Sequence, residues 1–362
     1  AKQYMADPGR TELLLDRYRV MITSGSSGLP GVFLYNQTEW GSVMASLARL
    51  ISWLSPAARS KPAIIGTTSP WYMTAYIQKS LQAQGGGSGI RLAVTDPITT
   101  TVQRLNDAQP TALLGYPSVI RMLADEQRKG RLHIAPYAVV CASEVLSENV
   151  RQQIEDVWHI KPYNLYATTE GGLLGAECEH HKGLHMFEDL VIVEPVDHDN
   201  QPVPPGVVGN KVLLTVLFGR TMPLIRYELT DCVGFSTSDS CPCGRPFTLV
   251  DDPQGRTLGN ELYFPSSSGA EVALHPVAFE SVMDLFPISG WQVVQELDGL
   301  HMLVSGAEAE RIDETLLRSM RQALEEHDVI VPSLFIEHVP TIPRGTSGKV
   351  TLVVSHTSRT TS

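Results

Sequence analysis

Apolar positions over roughly the first half of the chain follow two alternating spacings. Short continuous apolar runs predict buried strands at 18–22, 62–66, 90–94, 111–115, 137–141 and 163–166. After a short helical lead-in over 1–17, apolar residues at helical spacing predict helices at 39–53, 73–81, 99–105, 117–126 and 147–157. This alternation is typical of a largely parallel sheet covered by helices, which binds ligands at the carboxyl ends of its strands.

The pattern changes near residue 183, where short strands separated by turns replace the helices. Strands at 191–193, 212–216 and 224–227 predict a β-rich part over 183–254. After a turn-rich segment, helices are predicted at 276–285 and 312–326, among strands near Leu262, Val293, Met302 and 334–339. The predicted fold is α/β, with a large N-terminal domain over 1–254 on a mixed, largely parallel sheet and a small, mobile α+β C-terminal domain over 255–362.

The composition fits a globular enzyme of about two or three units and argues against two classes of partner. The 362 residues are 43% hydrophobic, and 28 basic against 39 acidic residues give a formal charge of −11. This charge gives no general attraction for nucleic acid or an anionic membrane. No apolar run reaches the roughly 18 residues of a spanning helix, and no signal peptide is visible. A truncated N-terminus and the origin of the glycine-rich run 85–89 are left open.

Five cysteines form an odd and sparse set for this length. They argue against a disulfide framework and for a reducing, cytoplasmic location, with metal binding as a further use. Two thiolates separated by one proline, with a cysteine and a histidine earlier in the chain, can fill a tetrahedral Zn²⁺ site. Buried unpaired thiols are the alternative, and His180 and His181 are competing ligands. The candidate ligands are Cys178, His185, Cys241 and Cys243.

Residues 23–31 place hydroxyl side chains among glycines directly after a predicted strand. Glycine lets backbone N–H groups turn toward a ligand and hydroxyls add donors, so the segment suits phosphate oxygens. The P-loop sequence of NTPases is absent, and taken alone the segment is more typical of a flexible turn. The candidate phosphate-binding residues are Thr23, Ser24, Gly25, Ser26, Ser27 and Gly28.

Three charged residues lie in polar segments that suit nucleotide chemistry. Glu170 lies between Thr169 and two glycines after a predicted strand, which suits Mg²⁺ bound together with phosphate. Asp231 leaves another predicted strand and can accept both hydroxyls of a ribose. Lys349 lies on a glycine-bracketed loop that can deliver a mobile charge. The alternatives are a capped loop, a turn aspartate and an exposed lysine, and the last two are the commoner cases for isolated residues.

In this order the segments resemble the adenylate-forming superfamily and, within it, the phenylacetate–CoA ligase-like branch. The matching segments are T-S-G-S-S-G-L-P-G, C-A-S-E, L-Y-A-T-T-E, E-C followed by G-L-H-x2-E-D, P-L-I-R-Y-E-L-T-D, C-P-C-G, G-R and T-S-G-K. They run from residue 22 to 350. The resemblance implies ATP-dependent, AMP-forming activation of a carboxylic acid to an acyl-adenylate, which is then transferred to a thiol such as coenzyme A.

Carried over residue by residue, the resemblance implies a nucleotide site. The loop from Thr23 to Gly28 would hold the β- and γ-phosphates of ATP, and Asp231 would bind the ribose. The adenine would lie beside Ser143 and Glu144, with Tyr166 stacked on it.

The resemblance also implies the catalytic groups. Thr169 would contact phosphate, Glu170 would hold Mg²⁺, and Lys349 would bridge the carboxylate and the α-phosphate. Arg256 would mark a hinge between the two steps. A lysine and Mg²⁺ screen the repulsion between two anions, so the acidic surface does not forbid ATP. The set Cys178, His185, Cys241 and Cys243 looks like the structural zinc site of this branch.

The sequence departs from the family pattern at several points. Leu29 stands where the phosphate loop usually carries a lysine, and Ala167 replaces a usual glycine. Residues 257–260 replace an acidic pair after Arg256, which bears on the second step and its acceptor. Only 22 residues precede the phosphate loop, so part of an acceptor or dimer surface is expected to be missing.

The acid pocket is predicted from aromatic residues. Trp71, Tyr72, Tyr116 and Ser118 fall where this branch places its acid, and they suit an aromatic or heteroaromatic carboxylate as well as they suit core packing. One alternative function is transfer to an amine or hydroxyl, giving an amide or ester in natural-product biosynthesis, and another is non-catalytic nucleotide binding. The expected partners are a small carboxylic acid and an acyl acceptor (coenzyme A, a carrier protein or an amine), and a homodimer stays open.

Overall fold

The structure is a computed structural model with two compact units. One unit comprises Ala1–Gln254 with Thr346–Gly348, and the other comprises Gly255–Gly345 with Lys349–Ser362; we call them the large and the small unit. The described residues are 13–23, 31–67, 70–83, 89–238, 240–251, 253, 262–267, 269, 271–274, 276–283, 285–286, 288–306, 312–344 and 350–356.

The large unit contains both helices and strands. Its helices are α1 (Gln37–Trp53), α2 (Met73–Ala83), α3 (Ile98–Ala108), α4 (Pro117–Arg128) and α5 (Glu148–Trp158), with a short 3-10 helix at Pro56–Arg59. Its strands are β1 (Arg19–Ile22), β2 (Val32–Tyr35), β3 (Pro62–Gly66), β4 (Ile90–Ala93), β5 (Ala112–Gly115), β6 (Ala138–Ala142), β7 (Tyr163–Thr168), β8 (Gly172–Glu177), β9 (Leu184–Met186), β10 (Val191–Val196), β11 (Lys211–Val216), β12 (Tyr227–Leu229) and β13 (Leu249–Val250).

An eight-stranded sheet of order β13-β9-β8-β7-β6-β5-β3-β4 forms the centre of the large unit. Strands β3 to β7 pair in parallel, and β8, β9 and β13 add antiparallel strands. Helices α3, α4 and α5 pack on one face, around Leu105, Ile120 and Ile154, and α1 packs on the other through Leu47 and Leu50. Every residue of β6 is buried because both faces are covered. The predicted α/β class with a mixed, largely parallel sheet is confirmed.

The β-rich part differs in detail from its prediction. Strands β10, β11 and β12 form a separate antiparallel sheet, whereas β9 and β13 extend the large sheet. The strand predicted at 224–227 begins only at Tyr227, because Arg226 adopts a left-handed φ of 49° that an extended strand does not allow. The helical lead-in is also wrong for its described part, where Leu14 bridges Tyr18 across a tight turn.

The small unit is an α+β arrangement. Its elements are β14 (Leu262–Pro265), β15 (Glu271–Leu274), α6 (Pro276–Met283), β16 (Gly290–Gln295), β17 (Leu300–Ser305), α7 (Asp313–Glu326), β18 (Leu334–His338) and β19 (Val353–Ser355). A four-stranded sheet of order β18-β17-β16-β19 buries Trp291, Met302 and Met320 of α7 in its core. Within the described parts of both units, no helix is long and apolar enough to cross a membrane.

Candidate functional site

The hydroxyl- and glycine-rich segment connects the two strands of a β-hairpin. Strands β1 and β2 pair antiparallel with Ile22 opposite Val32. Thr23 N–H donates to the carbonyl of Gly31 at 3.0 Å, and Gly31 N–H donates to Thr23 Oγ1 at 2.8 Å, so these two residues close the hairpin at its base. The predicted phosphate-binding residues Ser24, Gly25, Ser26, Ser27 and Gly28 lie outside the described residues.

The predicted magnesium carboxylate lies in the turn between β7 and β8. Gly171 N–H donates to Thr168 Oγ1 at 3.1 Å within this turn. The hydroxyl of Tyr35, at the end of β2, contacts the carbonyl oxygens of both Thr169 and Glu170, at 2.7 and 2.8 Å. The hairpin strand and the turn that carries Glu170 are therefore joined by one buried phenol.

A second link holds the loop before β12. Glu39 accepts the N–H of Asn36 in a reciprocal capping box that begins α1. The same carboxylate accepts the backbone N–H groups of Arg220 and Thr221, at 2.6 and 2.5 Å, and the hydroxyl of Thr221 at 2.7 Å. Burial alone would raise the pKa of Glu39, but these hydrogen bonds lower it, since they favour the charged form.

The predicted ribose-binding aspartate is paired with the predicted adenine-stacking tyrosine. The hydroxyl of Tyr166 donates to Asp231 Oδ2 at 2.8 Å, and both side chains are buried. Tyr166 follows Leu165 on β7, so this contact places Asp231 beside the central sheet. The two roles in nucleotide binding stay predictions.

The loop after β6 contacts the start of α4. Ser143 adopts a left-handed φ of 71°, a conformation rare for residues other than glycine. Next to it, Glu144 accepts the backbone N–H of Ser118 at 3.1 Å, so its carboxylate lies at the N-terminus of α4. A carboxylate is stabilised there by the helix dipole. Residues predicted for adenine and for acid binding thus adjoin one another.

The aromatic residues of the predicted acid pocket lie in two different hydrophobic clusters. Trp71 and Tyr72 pack with Val20 and Ile22 of β1, and the carbonyl of Trp71 accepts the N–H of Ile22. Tyr116 is buried in the main core of the large unit. The role of these residues in binding an acid stays a prediction.

The four predicted zinc ligands converge on one point. Their ligand atoms all lie within 4.8 Å of one another. Cys178 Sγ lies 3.5 Å from Cys241 Sγ, and Cys243 Sγ lies 3.4 Å from His185 Nε2. Backbone N–H groups two residues further on point at two of the sulfurs, from His180 to Cys178 and from Arg245 to Cys243. The competing ligands His180 and His181 are not in this group.

The surroundings act differently on the pKa values of the individual ligands. Burial raises the pKa of Cys178 to about 12. Burial opposes ionisation of Cys243 as well, but hydrogen bonds from the backbone and side chain of Arg245 hold the pKa of that thiol below its usual value. Burial and Arg245 also lower the pKa of His185, which keeps its imidazole neutral and able to bind a metal.

Aromatic rings and arginines surround the thiols. Arg245 lies 4.6 Å from the ring centroid of Trp53, the last residue of α1, and donates to Glu179 at 2.9 Å. Trp53 also makes an edge contact with His185, with ring centroids 5.7 Å apart. The last turn of α1 is therefore anchored beside the metal ligands.

A second arginine, Arg49 of α1, makes a similar arrangement one turn before Trp53. Arg49 lies 4.8 and 5.2 Å from the ring centroids of Phe187 and Phe247, which also contact each other. It also forms a bidentate pair with Asp189, at 2.8 and 2.6 Å. The contacts of Arg49 extend the anchoring of α1 by one turn.

Two predicted functional residues, Arg256 and Lys349, lie outside the described residues. The small unit does contain a cavity of about 780 Å³ on its four-stranded sheet. Arg344, His301 and Glu337 are among its lining residues, and His301 contacts Glu337 at 2.6 Å.

Sequence reasoning missed Tyr35 and Glu39, the two residues that hold the loops of the site. The pattern Asn36-x-x-Glu39 resembles a capping box and marks the start of α1. It carries no information on the second set of partners, which lie 181 and 182 residues further along the chain.

The fold agrees with the resemblance to the adenylate-forming superfamily, because it is shared with solved acyl-CoA ligases. A 2-hydroxyisobutyryl-CoA ligase in its postadenylation state is 20% identical, with a TM-score of 0.71 over 94% of this chain and 73% of the other. The anthranilate CoA ligase AuaEII, in complex with anthranoyl-AMP, is 14% identical, with a TM-score of 0.61 over 91% of this chain and 64% of the other. These structures share the fold.

The sequence comparison points to one branch of that superfamily. A phenylacetate-coenzyme A ligase of Thermus thermophilus is 27% identical over 295 residues. The match covers 78% of this chain and 63% of the relative, so it spans less than two thirds of that protein. No protein-family model matches the chain. The resemblance drawn from the motifs is confirmed.

Proposed function

We propose that the chain uses ATP to convert a carboxylic acid into an acyl-adenylate and pyrophosphate, and then transfers the acyl group to a thiol such as that of coenzyme A. The similarity to a phenylacetate-coenzyme A ligase supports this function. The acid is expected to be aromatic, in line with Trp71 and Tyr72 beside β1. The reaction requires no membrane and no nucleic acid, and we expect it in the cytoplasm.

The observation that carries the proposal is the position of the polar loops. Strands β6 and β7 are neighbours in the parallel part of the sheet. Ser143 and Glu144 follow β6, Thr169 and Glu170 follow β7, and Tyr166 binds Asp231. Loops at the carboxyl ends of adjacent parallel strands lie at the same edge of the sheet, and ligands of such sheets bind at this edge.

Each residue then has a chemical task. Glu170 would hold Mg²⁺, which supplies positive charge at the phosphates. Thr169 and the hairpin loop would donate hydrogen bonds to phosphate oxygens. Asp231, held by Tyr166, would accept the hydroxyls of the ribose. Lys349 would neutralise the charge that develops when the carboxylate attacks the α-phosphate.

We also propose that Cys178, His185, Cys241 and Cys243 bind a structural Zn²⁺. Three sulfurs and one imidazole nitrogen within 4.8 Å of one another match a closed tetrahedral site with no position left for substrate. Elemental analysis of protein purified without chelators tests this proposal, and one zinc per chain is expected. A metal-free, fully folded protein would contradict it.

The function is tested by acid-dependent exchange of radiolabelled pyrophosphate into ATP. A panel of aryl, heteroaryl and alkyl acids is used, and exchange with at least one aromatic acid is expected. Folded, zinc-loaded protein that shows no exchange with any acid would contradict the proposal. Ser24→Ala and Ser26→Ala should raise the KM for ATP but change the melting temperature little. Unchanged KM values in both variants would mean that the segment is a simple turn with no role in ATP binding.

A second acceptor class is favoured by the residues after Arg256, where 257–260 replace the acidic pair of the family. In this version the adenylate passes to an amine or hydroxyl and gives an amide or ester. Product analysis with coenzyme A, a carrier protein and simple amines distinguishes the acceptors. Efficient acyl-CoA formation would exclude this second version.

A further inference from the structure

Tyr35 lies behind the turn that carries the predicted magnesium carboxylate. Its side chain is only 4% exposed and makes an edge contact with Trp40, with ring centroids 6.3 Å apart. Its hydroxyl is within hydrogen-bond distance of the carbonyl oxygens of Thr169 and Glu170. The single hydroxyl proton of Tyr35 is thus shared between two consecutive backbone acceptors, which lie 134 and 135 residues further along the chain.

The phenol can keep this role at any physiological pH. Burial, and next the negative charges of Glu170 and Glu39, raise the pKa of Tyr35 far above its ordinary value. The hydroxyl therefore keeps its proton and stays a donor. Phenylalanine at this position would keep the ring but remove the donor that contacts these two carbonyl oxygens.

The contact also joins two sheets of the large unit. Tyr35 ends β2 and lies opposite Arg19, three residues beyond the Ile22–Val32 pair. The turn with Glu170 connects β7 to β8 in the large sheet. The separate two-stranded and eight-stranded sheets are thereby connected at the turn that carries the predicted metal carboxylate.

We propose that Tyr35 is a positioning residue, which holds the Thr169–Glu170 turn in place against β2 so that the carboxylate of Glu170 meets the magnesium of the bound nucleotide. The inference rests on the proposed function and deepens it. Tyr35 does not touch the nucleotide; it acts through the backbone of the turn.

The test compares Tyr35→Phe with the wild type in acid-dependent pyrophosphate exchange at varied Mg²⁺. We expect kcat to fall about 10- to 100-fold, because a displacement of about 1 Å costs on that order. The Mg²⁺ concentration for half-maximal rate should rise, and KM for ATP should change less than kcat. Tyr137→Phe is the matched control, since it removes an exposed hydroxyl just before β6, and it should leave all three values unchanged.

A double-variant cycle separates positioning from general packing. If Tyr35 acts through Glu170, adding Tyr35→Phe to Glu170→Gln should lower kcat little further. Fully additive losses, or an unchanged Mg²⁺ requirement in folded Tyr35→Phe, would overturn the inference. Tyr35→Met, a second variant without a hydroxyl, should show the same Mg²⁺ effect. Failure of both variants to fold would make the hydroxyl a folding determinant and would also overturn the positioning role.

The wild-type measurement keeps this inference separate from the proposed function. A wild type without exchange would contradict the function alone. Binding of Mn²⁺–ATP, followed by electron paramagnetic resonance, then still tests Tyr35. The wild type should bind Mn²⁺ in the ternary complex several-fold more tightly than Tyr35→Phe, and equal binding would overturn the inference.

Discussion

The thiol–imidazole group and the loops of the predicted nucleotide site lie in the same unit and are built in opposite ways. The four predicted metal ligands are side chains that converge on one point from β9 and from segments after β8 and before β13. The turn after β7 and the loop at Arg220 and Thr221 are backbone segments that two side chains, Tyr35 and Glu39, hold in place. The first construction brings four ligand atoms within 4.8 Å of one another, whereas the second fixes the path of the backbone.

This difference teaches where stability and activity should reside. A closed metal site contributes to folding, because its ligands come together only in the folded chain. An open site contributes to turnover and is limited by how well its loops are positioned. A variant that changes only stability or only activity would support this difference between the two sites. A variant of either site that changes both properties to the same extent would contradict it.

The largest expected effect is on activity alone. Lys349→Ala should lower acid-dependent pyrophosphate exchange by about 10²- to 10³-fold, because a charge that develops in the transition state loses its partner. Its melting temperature should stay close to that of the wild type. Lys129→Ala, at the end of α4, is the control and should keep full exchange. Full exchange in Lys349→Ala would contradict the catalytic assignment.

The next effect is on stability. Cys241→Ser should release zinc and lower the free energy of unfolding by about 3–5 kcal/mol, as loss of a metal site does. Cys232→Ser is a matched control, since Cys232 is also buried but lies outside the metal group. Zinc content and urea denaturation measure both variants. A zinc-free Cys241→Ser of wild-type stability would show that the closed site does not stabilise the fold.

Glu39 should connect stability to activity. Glu39→Gln keeps the shape but presents an amide group to backbone donors, so we expect a loss of about 2–3 kcal/mol in unfolding free energy. Exchange activity should fall as well, since the loop at Arg220 and Thr221 loses its anchor. Normal stability and normal exchange in this variant would contradict the role of Glu39 as the anchor of this loop.

The pH dependence of the same variant gives a signed test. Hydrogen bonds lower the pKa of Glu39 in the folded protein relative to its usual value of 4.5. The carboxylate therefore stabilises the fold above that value, and its contribution disappears as the pH falls through the lower, folded-state pKa. The stability difference between wild type and Glu39→Gln should shrink on acidification. A difference that is constant with pH would contradict the assignment.

The smallest effect concerns the edge of the metal region. Asp189→Asn removes the charge that pairs with Arg49 but leaves that arginine in contact with the rings of Phe187 and Phe247. Because the carboxylate is half exposed, the loss should be below about 1 kcal/mol. Denaturation in low and high salt measures it. A larger loss of unfolding free energy would mean that the Arg49–Asp189 pair stabilises the fold more than exposed ion pairs usually do.

The sheet was predictable from sequence because its signals are local. The strand at Pro62–Gly66 and the N-cap Ser147 lie where periodicity and capping rules place them. The convergence of Cys178, His185, Cys241 and Cys243 was also predictable, since a Cys-Pro-Cys turn limits what its thiols can do. The antiparallel strands β8 and β9 were not, because β8 contains two glycines without an alternation of polar and apolar residues, and β9 has only three residues.

The contacts of Tyr35 and Glu39 with the loops of the predicted nucleotide site could not be predicted, because their partners lie far away in the sequence. Tyr35 is the last residue of a strand, a common position for tyrosine. Nothing near it in the sequence indicates that its hydroxyl contacts the carbonyl oxygens of Thr169 and Glu170. No local signal indicates the positive φ of Arg226, so the strand predicted at 224–227 begins before the observed strand, which starts at Tyr227. Local patterns predict elements, whereas these contacts arise only when the elements are assembled.

The position of Glu39 in two networks has a consequence for the order of synthesis. Its cap on α1 can form as soon as that helix emerges, but its partners Arg220 and Thr221 are made 181 and 182 residues later. Until these partners are made, the carboxylate of Glu39 must stay hydrated, because burying it without its hydrogen bonds is costly. The start of α1 therefore cannot pack as in the folded protein while the nascent chain is shorter than this. A ribosome-bound chain stalled before Thr221 should therefore be cut by protease near α1, and one stalled well after it should be protected.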